Sequence, residues 1–346
     1  MKTGISGYGC YVPEYRIKVE EIARVWGQDA EQIKKGLRVT EKAVADKDED
    51  TITISVEAGK NALRYSKIAP EKIGALFVGS ESHPYVVKPS GTVVAEALGL
   101  PENLMLADLE FACKAGTTAL MICNALVKSG EVEYGIGIGA DTAQGQPGDV
   151  LEYTAASGGA AFILGKDPLA IIEGMFSYTT DTPDFWRREG QTYPKHAARF
   201  TGEPAYFKHV VNSTNGLLNK LSLGEKDFDH IVFHMPNGKF PRMACKKLGF
   251  DEKKLIKSLV VEKIGNTYSG SSLLGLCSVL DIAKAGERIL ITSFGSGAGG
   301  DSMSLMVTDK IEERRNKEFN IDYYTNRKKY IDYALYAKMR GKIKME

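Results

Sequence analysis

The sequence predicts an α/β protein made of two duplicated halves, and three observations carry that prediction. Buried-strand runs such as Ile73–Val78, Tyr134–Asp141 and Ser157–Gly165 alternate with helix-like stretches, the pattern of a sheet layered with helices. Two separated blocks recur at one offset of 156 residues: Asp229–Pro236 answers the strand around Ala75–Glu81, and Ala285–Gly295 answers Ser129–Gly139. A shared offset across separate blocks implies a duplicated βα unit, each copy supplying part of one site. Third, the chain turns from strand to helix at Cys113. Leu104, Met105 and Leu106 read as strand, and Leu120, Cys123, Asn124 and Val127 as a helix face stopped by Gly130. In the duplicated register Cys113 falls on Ser269, so the second copy lacks the thiol.

Gly4–Pro13 reads as a strand feeding a turn, followed by a helix with Glu20, Glu21 and Ile22 near its start. Residues 28–52 read as a charged loop-helix cap, with Glu41 to Asp50 a solvated charge run. Thr51–Ser66 and residues 91–99 are helical. Gly137 and Gly139 superficially suggest a dinucleotide loop, but they lie inside a strand with no G-x-G-x-x-G leading into a helix. Residues 175–210 are polar, aromatic and turn-rich, which fits an ordered insertion over a site better than a linker. The expected divisions are 1–168 carrying the Cys, 169–309 carrying His234 and Asn266, and a basic, Tyr-rich tail over 310–346. That tail has 11 Lys/Arg against 6 Asp/Glu. Docking on protein fits it better than nucleic-acid binding, because no RNA-binding motif accompanies it.

A net charge of +1 makes no bulk electrostatic case for nucleic acid or an anionic membrane. Five scattered Cys form no C-x-x-C pair, so neither a disulfide framework nor a zinc knuckle is expected, and a reducing, cytoplasmic compartment fits. Met1 leads directly into a strand-like stretch, so no signal peptide is expected, and no apolar run approaches a membrane span. No metal is expected: His230 and His234 share a strand, roughly 13 Å apart at that step.

Cys113 sits at a helix mouth, where unpaired amides favour a thiolate and so a nucleophile. Glu81 ends a central strand, where active-site groups of α/β sheets collect. His234 also ends a strand, Asn266 lies at a second helix mouth, and Gly295–Gly300 is a Gly-rich turn whose amides can face an oxyanion. Lys239 and Arg242, just beyond His234, are candidates for phosphate or thioester contacts.

Cys113 in Ala-Cys-Lys-Ala-Gly-Thr, His234 in Phe-His-Met-Pro-Asn-Gly-Lys, Asn266 in Gly-Asn-Thr-Tyr-Ser-Gly-Ser and the Gly-Ser-Gly-Ala-Gly-Gly turn resemble the thiolase superfamily. The Cys-His-Asn set alone also fits a type III ketoacyl-carrier-protein synthase. Glu81 in Val-Gly-Ser-Glu-Ser is similar to the general base of hydroxymethylglutaryl-CoA synthases, and over roughly residues 1–345 the chain resembles their archaeal branch. The resemblance implies a thiolase-like five-layered αβαβα fold, a homodimer, and condensation of acetyl-CoA with acetoacetyl-CoA in the mevalonate pathway. These CoA thioesters are substrates, and no cofactor is expected. Cys113 would carry the acetyl group, Glu81 remove its methyl proton, and the amides of Cys113 and Ser296 hold the enolate. His234 would polarise the ketone and Asn266 orient it. By resemblance Thr154, Arg199 and Thr201 would also line the ligand. An acetoacetyl-CoA thiolase and a small zinc-containing protein are the implied partners.

Overall fold

Nine strands form the main sheet of the computed structural model, which describes residues 2–343. In chain order they are β1 (Gly4–Tyr11), β2 (Ile73–Gly79), β3 (Met105–Leu109), β4 (Tyr134–Thr142), β5 (Ser157–Gly165), β6 (Ala170–Thr179), β7 (His230–Phe233), β8 (Arg288–Thr292) and β9 (Gly299–Val307). Across the sheet they run β7-β8-β9-β6-β1-β5-β4-β2-β3. Two related half-sheets therefore meet between β1 and β6. β2 lies parallel to β4, and its counterpart β7 lies parallel to β8. The seam is short, with Gly4 paired to Ile171 and Ile5 to Ala170. A Cβ on Gly4 would stand 2.2 Å from the Ala170 carbonyl oxygen, so the join requires glycine there.

Four helices supply the other layers: α1 (Thr51–Ser66), α2 (Ala115–Ser129), α3 (Phe207–Leu221) and α4 (Ser271–Leu280). α1 covers β1 and β5 on one outside, α3 covers β6 and β9 on the other, and α2 and α4 pack between the half-sheets. This is the five-layered αβαβα arrangement. The starts of α2 and α4 are 156 residues apart, so the duplication extends to the central helices. Every residue of α4 is buried, because both half-sheets flank it. The glycines of β4 have a packing cause. A Cβ on Gly139 would lie 2.5 Å from the Ser269 carbonyl oxygen, and one on Gly137 2.9 Å from Leu120. They let strand, helix and the Ser269 turn close together.

Two expectations change. Glu41–Val44 is not solvated but a buried strand, paired with Tyr15–Lys18, which in turn pairs with Lys329–Tyr330 of the tail. The Glu41 carboxylate accepts from Lys328 Nζ at 2.8 Å and Tyr330 OH at 2.7 Å, so its charge is matched by residues almost 300 positions away. Residues 175–179 belong to β6, and the insertion over the site starts after them, with Phe185–Trp186 paired to Lys195–His196. The tail lies on its own chain, burying Tyr324 and Tyr336.

Candidate active site

Parallel strands β2 and β3 bring the two principal groups together. Glu81 follows the end of β2. After β3 the chain turns through Ala112, held at φ 44°, and delivers Cys113 ahead of α2. The Cys113 thiol donates to Glu81 Oε1 at 3.0 Å. Glu81 lines a cavity of about 420 Å³ together with Ala112, Asp141, Arg187, Tyr268 and Ser296. Cys113 itself is buried beside Ala155, Tyr268 and Phe185.

Asp141, at the end of β4, organises this corner and was missed in the sequence. One carboxyl oxygen accepts from Ser80 Oγ at 2.7 Å, the Glu81 amide at 2.8 Å and Ser82 Oγ at 2.6 Å. The other accepts from the Ser269 amide at 2.8 Å and Ser269 Oγ at 2.7 Å. It thus ties the Glu81 loop to Ser269, the counterpart of Cys113 in the second half. A signal was available: Asp141 is the acid that closes the Gly-rich strand, at the same sheet edge as Glu81. Arg187 of the insertion was also overlooked; it donates to the Glu81 carbonyl oxygen at 3.0 Å.

The electrostatics correct the expectation of a ready-made thiolate. Burial, then the facing Glu81 carboxylate, pushes the Cys113 thiol well above its usual range. Cys113 precedes the first helical residue, and two carboxylates at close range outweigh the helix mouth. Burial, then Asp141, pushes Glu81 up to about 8. A carboxylate so raised is a stronger base than an exposed one. Burial pushes His234 down to about 3, so its ring is neutral, with one nitrogen to donate and one to accept. The Tyr206 hydroxyl donates to the His234 carbonyl oxygen at 2.8 Å, fixing the chain where β7 ends. Asn266 is buried: its amide donates to the Thr154 carbonyl oxygen at 2.7 Å, and its Oδ1 accepts from the Tyr268 amide at 2.9 Å. Only its Nδ2 is left to meet a ligand.

Residues 218–307 match the family model described as 3-oxoacyl-(acyl-carrier-protein) synthase III C terminal. Over 343 residues, 99% of each chain, the sequence is 60% identical to a hydroxymethylglutaryl-CoA synthase of Methanocaldococcus jannaschii. Over 341 residues, again 99% of each chain, it is 58% identical to the one of Archaeoglobus fulgidus. The chain belongs to the hydroxymethylglutaryl-CoA synthase family. The fold is also that of a solved structure of MvaS in complex with 3-hydroxy-3-methylglutaryl coenzyme A, with a TM-score of 0.90 at 24% identity, covering 98% of this chain and 91% of that one.

Within this synthase the other expected residues divide. Ser296 lines the cavity. Neither its amide nor that of Cys113 has an intramolecular acceptor among the described residues. Thr154 is buried behind Asn266, its hydroxyl turned toward the Leu151 carbonyl oxygen. Thr201 leans on the Asp184 carbonyl oxygen at 3.4 Å, and Arg199 is exposed beside Phe200. Lys239 is exposed at the start of the helix Phe240–Lys247. Arg242 is held by Glu252 and, at 2.8 Å, by Glu262, so its charge is already matched. Neither Lys239 nor Arg242 borders the cavity. Among the described residues no cluster of three or more His, Cys, Asp or Glu is arranged to hold a metal, and no helix is long and apolar enough to cross a membrane.

Proposed function

We propose that this synthase condenses acetyl-CoA with acetoacetyl-CoA and water, giving hydroxymethylglutaryl-CoA and CoA, through an acetyl group carried on Cys113. The observation that carries the proposal is the 3.0 Å contact between Cys113 Sγ and Glu81 Oε1 at the cavity wall. The Cys113 thiol attacks the acetyl thioester, the bond from the acetyl carbon to the CoA sulfur breaks, and the thiol proton leaves with CoA as its free thiol. Glu81 then takes a methyl proton, a step that needs a raised carboxylate and fixed donors for the enolate. The free amides of Cys113 and Ser296 are those donors. The enolate carbon attacks the ketone of acetoacetyl-CoA, whose oxygen is polarised by an N–H of neutral His234 and oriented by Asn266 Nδ2; the alkoxide takes up a proton to become the product hydroxyl, and Glu81 gives up the one it took. Water finally cleaves the Cys113 thioester. Lys239, Thr154, Arg199 and Thr201 are proposed along the path of the CoA arm, and Arg242 supports that surface through its own acids.

The type III ketoacyl synthase reading is weaker. The matching family model covers residues 218–307, which hold His234 and Asn266, and does not reach Glu81. A malonyl-using enzyme generates its carbanion by losing CO2 and has no use for this base.

We place the boundary between the two halves at 168/169 and assign the chain to a cytoplasmic homodimer of the mevalonate route to isoprenoids. The edge strand β3 leaves Met105 48% exposed, and the loop before residue 90 leaves Val86 100% and Val87 91% exposed, an apolar edge suited to a second copy. An acetoacetyl-CoA thiolase with a small zinc-containing protein would supply the second substrate.

The test is turnover of purified protein with acetyl-CoA plus acetoacetyl-CoA, with intact mass measured after acetyl-CoA alone. Wild type should gain one acetyl group and Cys113→Ala none, with the variant still folded. Buried Cys123 and Cys277 should stay unlabelled. Wild-type levels of acetylation in Cys113→Ala would sink the proposal.

A further inference from the structure

The basic tail is the one sequence motif that the condensation leaves unused. Its last described turn reaches the floor of the catalytic cavity. Arg340 donates to the Thr142 carbonyl oxygen at 3.4 Å, and Lys342 to the Gly145 carbonyl oxygen at 2.6 Å. Thr142, Ala143 and Gln144, held between those two points, line the cavity. Lys342 and the segment it meets converge on Glu152, which is 0% exposed. Its Oε1 accepts from Tyr333 OH at 3.0 Å and faces Lys342 Nζ at 3.6 Å. Its Oε2 accepts from Trp26 Nε1 at 2.9 Å and the Gly148 amide at 2.8 Å. Its carbonyl oxygen accepts from the buried Lys42 Nζ, which also donates to Tyr336 OH at 3.0 Å. The adjoining Asp149 meets His196 Nε2 at 3.2 Å, joining the same segment to the insertion whose Phe185, Arg187 and Pro194 also line the cavity.

We propose that residues 333–342 are a strap, anchored on Glu152, that holds the segment 142–149 and so positions its Thr142–Gln144 stretch of the cavity wall for the incoming thioester; this rests on the cavity being the condensation site. The network is buried and its members are matched, so water cannot replace a lost partner and the wall must shift when one is removed. Cys113 and Glu81 are held by Asp141 and by the ends of β2 and β3, and the strap touches that corner only at the Thr142 carbonyl oxygen, its other anchors lying farther along, at Gly145 and Glu152. Loss of the strap therefore acts on the second substrate and spares acylation of the nucleophile. Tyr333, Lys342 and Glu152 are positioning residues in this scheme.

Tyr333→Phe, Lys342→Met and Lys342→Arg in the full chain test it, the first removing a single hydroxyl. Three quantities are measured: hydrogen exchange of residues 142–149 against α2, the rate of Cys113 acetylation, and KM for acetoacetyl-CoA. Tyr333→Phe and Lys342→Met should exchange faster at 142–149 but not in α2. Acetylation should be unchanged and KM raised at least ~10-fold, the scale of a small misplacement of binding groups. Lys342→Arg should restore most of the loss. Unchanged exchange, an unchanged KM, or parallel loss of acetylation and KM as for a merely structural role would each overturn the strap. If wild type itself fails to acetylate, the condensation reading falls, while the exchange arm still decides whether the tail holds the wall.

Discussion

Glu81→Gln should lower condensation by at least the ~100-fold typical of a lost general base while leaving Cys113 able to take an acetyl group. The two steps separate because the carboxylate plays opposite parts in them. In proton abstraction it is the base, made stronger by burial and by Asp141, which push it up to about 8. In acylation its charge, after burial, is what holds the Cys113 thiol protonated. Glutamine keeps the shape, removes the base and removes that charge. The same substitution has a stability signature. Glu81 is raised from 4.5 to about 8, so the folded protein keeps a proton that the unfolded chain has given up. Its stabilising contribution is fully present below about 4.5 and is lost as pH rises through about 8. Glu81→Gln escapes that loss, so its Tm relative to wild type should climb across this window and be highest above pH 8. Wild-type condensation should conversely rise with pH toward 8, as the base ionises. Stopped assays of acetyl-Cys113 and product, with melting curves at pH 5 and 9, check both. A Glu81→Gln variant that condenses at near wild-type rate, or a better malonyl donor, would show that Glu81 is not the base.

The parts of this fold that were legible are those set by local pattern. The helix Thr51–Ser66 is found with the expected bounds because its capping residue Asp50 and its apolar spacing lie within one short stretch. The offset of 156 placed β7 opposite β2 and β8 opposite β4 without any knowledge of their packing. Cys113, Glu81, His234 and Asn266 could be chosen because each sits where an element starts or ends. What stayed hidden depends on groups distant in sequence. Glu41 and Lys42 look like surface charges until Lys328, Tyr330 and Tyr336 fold back upon them. Arg242 looks free for phosphate until the helix that carries it meets Glu252 and Glu262. The thiol of Cys113 looks activated by its helix until the loop after β2 lays a carboxylate against it.

Asp141→Asn should be the most damaging single change that leaves every proposed reacting group in place. The carboxylate receives two sets of donors, one on each oxygen, and each set contains a backbone amide: that of Glu81 on one side and that of Ser269 on the other. Asparagine offers one oxygen and one NH2. The serine hydroxyls can rotate to accept from the NH2, but an amide N–H cannot, so one backbone donor is left facing another donor in a buried site. Leaving a buried amide donor without an acceptor costs about 1–3 kcal/mol. The loss falls where the Glu81 loop and the Ser269 turn are held in register, so condensation should drop at least ~100-fold, through the geometry of the base. A second effect separates this from general destabilisation. The Asp141 charge is one of the causes that raise Glu81, so without it Glu81 ionises more readily and the pH at which residual activity rises should move below about 8. A stability loss alone would leave that midpoint in place. Chemical denaturation together with a pH profile of the residual rate tests the argument, and an Asp141→Asn protein with wild-type stability and an unmoved midpoint would show that Asp141 neither holds nor tunes Glu81.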